Sequence, residues 1–227
     1  MLTTILLAFF GGFLPSFVWL FFWLMEDYKK PEPKYRIALT FMAGAAMVLL
    51  AVPLEHAAAP FLSDTRSIFM WATIEEVLKF FAAAVFGLVT ADYDEPIDAL
   101  IYTITAALGF AAAENALFLY DSLTHHSIMQ SILVGDTRFV GSTLLHTISS
   151  ACIGIMLGLT FYKSHARQTL AVTIGVILSV LLHVFFNVFI LQQGDAYVMA
   201  LVGIWIGVVI VLLFAERIKR IRRRQRG

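Results

Sequence analysis

A chain of 227 residues that is 60% hydrophobic and only 14% charged, with a net charge of zero, is not a water-soluble globule. Its mean hydropathy of +0.84 excludes a soluble multidomain enzyme, and no polar stretch is long enough to fold separately. The expectation is an all-α, polytopic helical membrane protein forming a single domain over 1–227, with any chemistry carried inside its spans.

The first apolar run, about 2–25, lacks both the basic start and the small-residue cleavage site of a signal peptide, so it reads as a retained span. Further runs follow at about 37–59, 68–89, 97–120, 138–162, 169–191 and 196–215. Each approaches the roughly 20 residues needed to cross a bilayer, which predicts seven transmembrane helices. The 121–137 connector is expected to hold a short interfacial helix over Ile128–Val134 that does not span. Cys152 is the single cysteine, so no internal disulfide can form, and its apolar setting reads as packing.

Lysine and arginine in short loops set the orientation. Lys29, Lys30, Lys34 and Arg36 follow span one, Lys163 and Arg167 follow span five, and the basic tail 216–227 follows span seven. Seven spans put all three segments on one side, which places the N-terminus outside and the C-terminus in the cytoplasm. The opposite loops hold only Arg66 and Arg138, the latter read as an interfacial anchor. The tail, with seven Lys and Arg between Arg217 and Arg226, is expected to touch anionic membrane lipid, and nucleic acid is set aside as a partner.

Span three breaks the apolar pattern with Glu75, Glu76 and Lys79. Each such residue at a helix centre costs about 2.5–3.5 kcal/mol on insertion scales, so three within five positions require a reason. Counting 1.5 Å per residue from the outer end puts Glu75 and His183 roughly 10 Å deep, Glu114 roughly 9 Å and His146 roughly 12 Å. Four spans thus place a carboxylate or imidazole at one level. Lys79 stands i+4 from Glu75 and i+3 from Glu76, and can pair with either. Asn187 shares a face with His183, and Gly109 to Ala113 leave room for close helix packing before Glu114 and Asn115. Taken singly, a buried histidine is a satisfied hydrogen-bonding group and Lys79 with one glutamate is architecture. Three carboxylates in one layer exceed what one ion pair needs. Asp98 and Tyr102 lie below the layer, and His56, His125, His126 and His165 fall in or near loops and are given no role.

Two chemistries suit the layer. Glu114, His146 and His183 would make a two-nitrogen, one-oxygen shell for catalytic Zn2+, with Glu75 or Glu76 as general base. Without metal, a buried glutamate would activate water while a histidine shares the proton, and Asn187 or a histidine would stabilise the oxyanion. Spacing alone leaves both open. Glu75 and Glu76 point 100° apart on the helix, so one of them faces the water, and Glu76 is expected to be that one. Neither H-E-x-x-H nor G-x-S-x-G is present.

Glu75-Glu76-Val77-Leu78-Lys79, Asp98-Ala99-Leu100-Ile101-Tyr102, Gly109-Phe110-Ala111-Ala112-Ala113-Glu114-Asn115, His146 and His183-Val184-Phe185-Phe186-Asn187 follow one another in consecutive spans. In this series the chain resembles the PrsW family of intramembrane proteases, and more distantly the CAAX-prenyl-protease and bacteriocin-processing superfamily. The likeness covers a core of about 68–191. It implies a bacterial plasma-membrane endopeptidase making site-1-type cuts near the outer face of single-span, membrane-anchored substrates, of which anti-sigma factors are the best-known class. It also implies functional roles for Glu75, Glu76, Glu114, His146 and His183. Ala99 departs from the glycine common in the family, and Asn187 stands where relatives vary. A cation or proton transporter could use the same buried Glu and His layer. Such a pathway would run from face to face, whereas these groups crowd the outer half. A non-catalytic membrane scaffold is the third reading.

Overall fold

A computed structural model describes residues 1–59, 64–126, 131, 141–190 and 195–221. Among the described residues the elements are helices: α1 (Leu2–Glu26), α2 (Lys34–Ala58), α3 (Asp64–Ala83), α4 (Asp98–His125), α5 (Thr143–Thr160), α6 (His165–Ile190) and α7 (Asp195–Lys219). A π-helical turn, Ala84–Leu88, prolongs α3. All but α3 are long and apolar enough to cross a membrane, so the chain is an integral membrane protein. α3 occupies the place of the expected third span. Its hydropathy is lowered by Glu75, Glu76 and Lys79, which other helices cover. Apart from Ser131, the expected interfacial helix at 128–134 lies outside the described residues, as does Arg138.

α4 and α5 form the interior. In each, 78% of the most apolar stretch is buried, against 22% in α1 and 28% in α7, whose Phe10, Phe21 and Leu213 face outward to lipid. Small residues allow this, because packing rather than water exclusion drives association between helices in lipid. A Cβ on Gly44 of α2 would strike the Ala106 carbonyl of α4, and one on Gly109 of α4 would strike the Phe41 carbonyl of α2. The two backbones therefore touch at a reciprocal pair of glycines. Gly154 does the same for α5, where a Cβ would stand 2.7 Å from the Leu100 Cα of α4.

Connectors confirm the alternation of helix direction. Lys219 Nζ at the end of α7 lies 2.5 Å from Glu26 Oε2 at the end of α1. Lys30 Nζ lies 2.5 Å from Asp94 Oδ1, and Arg36 Nε 2.8 Å from Asp92 Oδ2. The Tyr93 ring meets Phe161, just past α5, edge-on at 5.0 Å between centroids. One end of the bundle thus gathers the connectors that follow α1, α3, α5 and α7. These are the segments expected on the basic, cytoplasmic side.

Candidate active site

The two adjacent glutamates of α3 face different worlds. Glu76 is fully buried, and its carboxylate accepts from five donors. Lys79 Nζ (2.5 Å), His183 Nδ1 (2.7 Å) and Ser149 Oγ (2.9 Å) reach Oε1, while Ser179 Oγ (2.5 Å) and Ser150 Oγ (3.1 Å) reach Oε2. Helical spacing supplies them. His146, Ser149 and Ser150 share one face of α5, and Ser179 and His183 stand i,i+4 on α6. A carboxylate has about four lone-pair sites, so Glu76 has no capacity left for water. This reverses the expected facing.

Glu75 is 7% exposed, lines the cavity described below, and has a buried Oε2 with no hydrogen-bond partner among the described residues. Around that atom stand Lys79 Nζ at 3.7 Å, His146 Nδ1 at 3.7 Å and His183 Nε2 at 3.8 Å. Partners fix the histidine tautomers. His183 donates from Nδ1 to Glu76, which leaves a lone pair on Nε2. Lys79 donates to His146 Nδ1 at 2.8 Å, so His146 donates from Nε2 to Glu114 Oε2 at 3.1 Å. The two imidazoles lie edge to face, 5.2 Å apart, and the Phe110 ring sits under the Lys79 ammonium at 5.1 Å.

Above this group opens a cavity of about 680 Å³, lined among others by Glu75, Glu114, His146, His183 and Asn187. That volume falls within the ~300–1,000 Å³ typical of ligand pockets. Glu114 also receives Ser142 Oγ at 3.4 Å, and its side chain is 20% exposed, the most open of the layer's acids. Asn115, one position on, turns inward and donates to Thr143 Oγ1 at 2.9 Å, joining α4 to α5. Asp98 and Tyr102 sit at the other end of the bundle and take no part.

The expected layer is therefore assembled, with its roles rearranged. Among the described residues of this layer, the side chains able to converge on one metal ion are Glu75, His146 and His183, whose ligand atoms lie within 4.8 Å of one another. Glu114 is not in that set and approaches the far nitrogen of His146 instead. The donor set fits a zinc-type ion. Adjacent ligands of a tetrahedral ion at about 2.0–2.1 Å stand roughly 3.3 Å apart, close to the 3.7 and 3.8 Å separations here. An orphaned buried carboxylate oxygen between two imidazole nitrogens is what such an ion would satisfy. Glu76 behind His183 supplies the carboxylate–histidine support that orients metal-binding imidazoles.

Sequence reasoning missed Ser149, Ser150 and Ser179, which look like ordinary small polar residues until the helices are docked. It also missed Glu55 and His56, which line the cavity from the end of α2. The only available signal for these two was a Glu-His pair at the outer end of an apolar run.

A family model described as PrsW family intramembrane metalloprotease matches residues 32–214. The chain is 26% identical over 152 residues to a Protease PrsW of Halalkalibacterium halodurans, covering 65% of this chain and 64% of that protein. It is 25% identical over 158 residues to one from Geobacillus kaustophilus, covering 68% and 65%. Over 215 residues it is 25% identical to one from Oceanobacillus iheyensis, covering 92% and 94%. The chain thus spans just under two thirds of the length of the first two relatives. No solved structure gives a significant match. With these bacterial relatives and its apolar helices, the protein is placed in a bacterial plasma membrane. The chain belongs to the PrsW family of intramembrane metalloproteases.

Proposed function

We propose that the chain is an endopeptidase that hydrolyses a peptide bond in single-span, membrane-anchored proteins near the outer face, with anti-sigma-factor-like proteins as the substrate class. The observation that carries this reading is the unpartnered Glu75 Oε2 at the foot of the cavity, ringed by nitrogens at 3.7–3.8 Å. A substrate helix hides its amide bonds in its own hydrogen bonds, so it must unwind to be cut, and a lined cavity can receive the opened strand. Glu75, His146 and His183 would hold the metal ion. Bound there, the ion would supply Lewis-acid activation of water and of the scissile carbonyl.

The other side chains have separable tasks. Glu114, the more open carboxylate, accepts the proton of the attacking water and returns it to the amine nitrogen as the C–N bond breaks. Asn187 on the cavity wall donates to the carbonyl oxygen as it gains charge. Glu76 fixes His183 in its Nδ1–H tautomer and accepts from Lys79. For His146 Nδ1 to serve as a ligand, Lys79 would give up its 2.8 Å bond there and keep Glu76 as its partner.

Elemental analysis and cleavage of an anchored reporter, measured on the same purified proteins, test the assignment. Glu114→Gln should keep the bound metal and lose about 10²–10⁴-fold in rate. His183→Ala and Glu75→Ala should lose both. Full cleavage by Glu114→Gln sinks the role given to Glu114. The 2.8 Å contact between Lys79 and His146 Nδ1 favours a second reading, in which no ion binds and Glu75 is the base. Cleavage that survives chelation and is abolished by Glu75→Gln would select it.

A further inference from the structure

At the opposite end of the bundle lies a second group of buried acids with no place in the proteolytic site. Asp27 caps the C-terminus of α1, and its backbone N–H bonds Leu24 O at 3.3 Å. Asp98 opens α4, with Oδ2 accepting the backbone N–H of Asp94 (2.9 Å) and of Glu95 (2.6 Å). Glu95 lies in the connector before α4, and Glu32 in the connector before α2 accepts the Tyr102 hydroxyl. Asp27 is 5% exposed and Asp98 1%, yet Asp27 Oδ2 and Asp98 Oδ1 are both buried without a hydrogen-bond partner among the described residues. Ligand oxygens of Asp27, Glu95 and Asp98 lie within 4.8 Å of one another.

Nearby cations reach only the edge of this group. Lys219 is held by Glu26 at 2.5 Å and Glu216 at 2.8 Å. Lys30 bonds Asp94 at 2.5 Å and stands 3.8 Å from Glu95 Oε1, on the exposed side of the cluster. Leaving such carboxylates ionised and unpaired away from water is costly. The Glu32 carboxyl also faces Asp98. Two carboxylate acceptors can satisfy each other only through a shared proton or a shared cation.

We infer that Asp27, Glu95 and Asp98 form a second metal site, selective for a hard divalent cation of the Ca2+ and Mg2+ class, that fastens the α1 end to the α4 start. All its donors are oxygens, which such ions prefer and zinc-type ions do not require. Oxygens bound to one Ca2+ at about 2.3–2.6 Å can stand up to roughly 5 Å apart across the ion, so small side-chain shifts would bring the three carboxylates, now within 4.8 Å of one another, onto one ion. Backbone bonds to Asp98 Oδ2 leave Oδ1 directed away from the turn, available to an ion. Such an ion would brace the helix ends on the cytoplasmic side while the proteolytic site works at the other. The inference does not depend on the proteolytic reading.

The test is Mn2+ titration of the purified full chain in detergent, followed by electron paramagnetic resonance, with Ca2+ and Mg2+ as competitors. Wild type should bind Mn2+ displaceably, and its thermal midpoint should rise by a few degrees when the cation saturates. Asp27→Asn and Glu95→Gln should each weaken binding at least tenfold and abolish the rise, while Glu216→Gln, at an exposed acid outside both clusters, keeps both. Glu95 is partly exposed and contributes its backbone to the Asp98 turn, so Glu95→Gln should fold even if Asp27→Asn does not. Binding lost in Glu75→Gln but kept in Glu95→Gln would overturn the assignment. So would the lack of any Mn2+ binding, which would assign the cluster to shared protons.

Discussion

Replacing Glu76 by Gln probes the centre of the bundle without changing its shape. The amide oxygen, placed at Oε1, can still accept from His183, Ser149 and Lys79, and the amide nitrogen at Oε2 meets two serine hydroxyls that can rotate to accept. What disappears is charge. With an effective dielectric of about 20, Lys79 at 2.5 Å from Glu76 gains about 6.6 kcal/mol of gross attraction. Glu75 at 3.7 Å offers about 4.5 kcal/mol. Lys79 therefore keeps a partner in Glu76→Gln, and the expected loss is about 2–3 kcal/mol, below the ~3–5 kcal/mol of a fully orphaned buried charge. Glu75→Gln with Glu76→Gln should reach that larger loss, and adding Lys79→Met should recover most of it. Reversible unfolding in mixed micelles measures all four proteins as a cycle. A Glu76→Gln loss under about 1 kcal/mol, or no recovery with Lys79→Met, would refute the charge-hub account.

Hydrogen-bond length should rank the serines around the same carboxylate: Ser179→Ala (2.5 Å) should destabilise more than Ser150→Ala (3.1 Å), each by about 1–3 kcal/mol in the same unfolding assay. Gly109→Val should cost at least the ~1–3 kcal/mol of overpacking, because even its Cβ strikes the Phe41 carbonyl, and Gly141→Ala, whose Cβ meets nothing within 4 Å, is the control for that measurement. Asn115→Ala and Thr143→Val should each destabilise, with a coupling of about 0.6–1.7 kcal/mol in a double-mutant cycle, and additive losses would show that their 2.9 Å bond does not join α4 to α5.

The helices were legible because apolar runs of spanning length are a one-dimensional signal, and α1 to α7 fall on the marked runs. The polar layer was legible for the converse reason, since Glu75, Glu76, Lys79, Glu114, His146 and His183 are conspicuous against apolar neighbours. Rotation about the helix axis was not legible. Whether Glu75 or Glu76 meets the cavity depends on which face of α3 docks against α5 and α6, and 100° separates the two outcomes. Ser149, Ser150 and Ser179 escaped notice because a serine in a membrane helix is unremarkable until a carboxylate arrives opposite it. Asp27 and Glu32 sit in connectors, where acids ordinarily meet water; only the packing of chain turns against one another buries them.

The hub around Glu76 constrains how the protein is made. When α3 first meets the bilayer during synthesis, Lys79 is on the same helix and can accompany Glu76, but Ser149, Ser150, Ser179 and His183 belong to segments not yet translated. α3 also falls short of the apolar character of the other helices. Its stable residence in the membrane must therefore await α5 and α6, and a nascent chain ending after α4 should leave α3 at the interface or held by the insertion machinery. The residues gathered around Glu76 would then also act as an assembly checkpoint, admitting α3 to the lipid only in the company of its later partners.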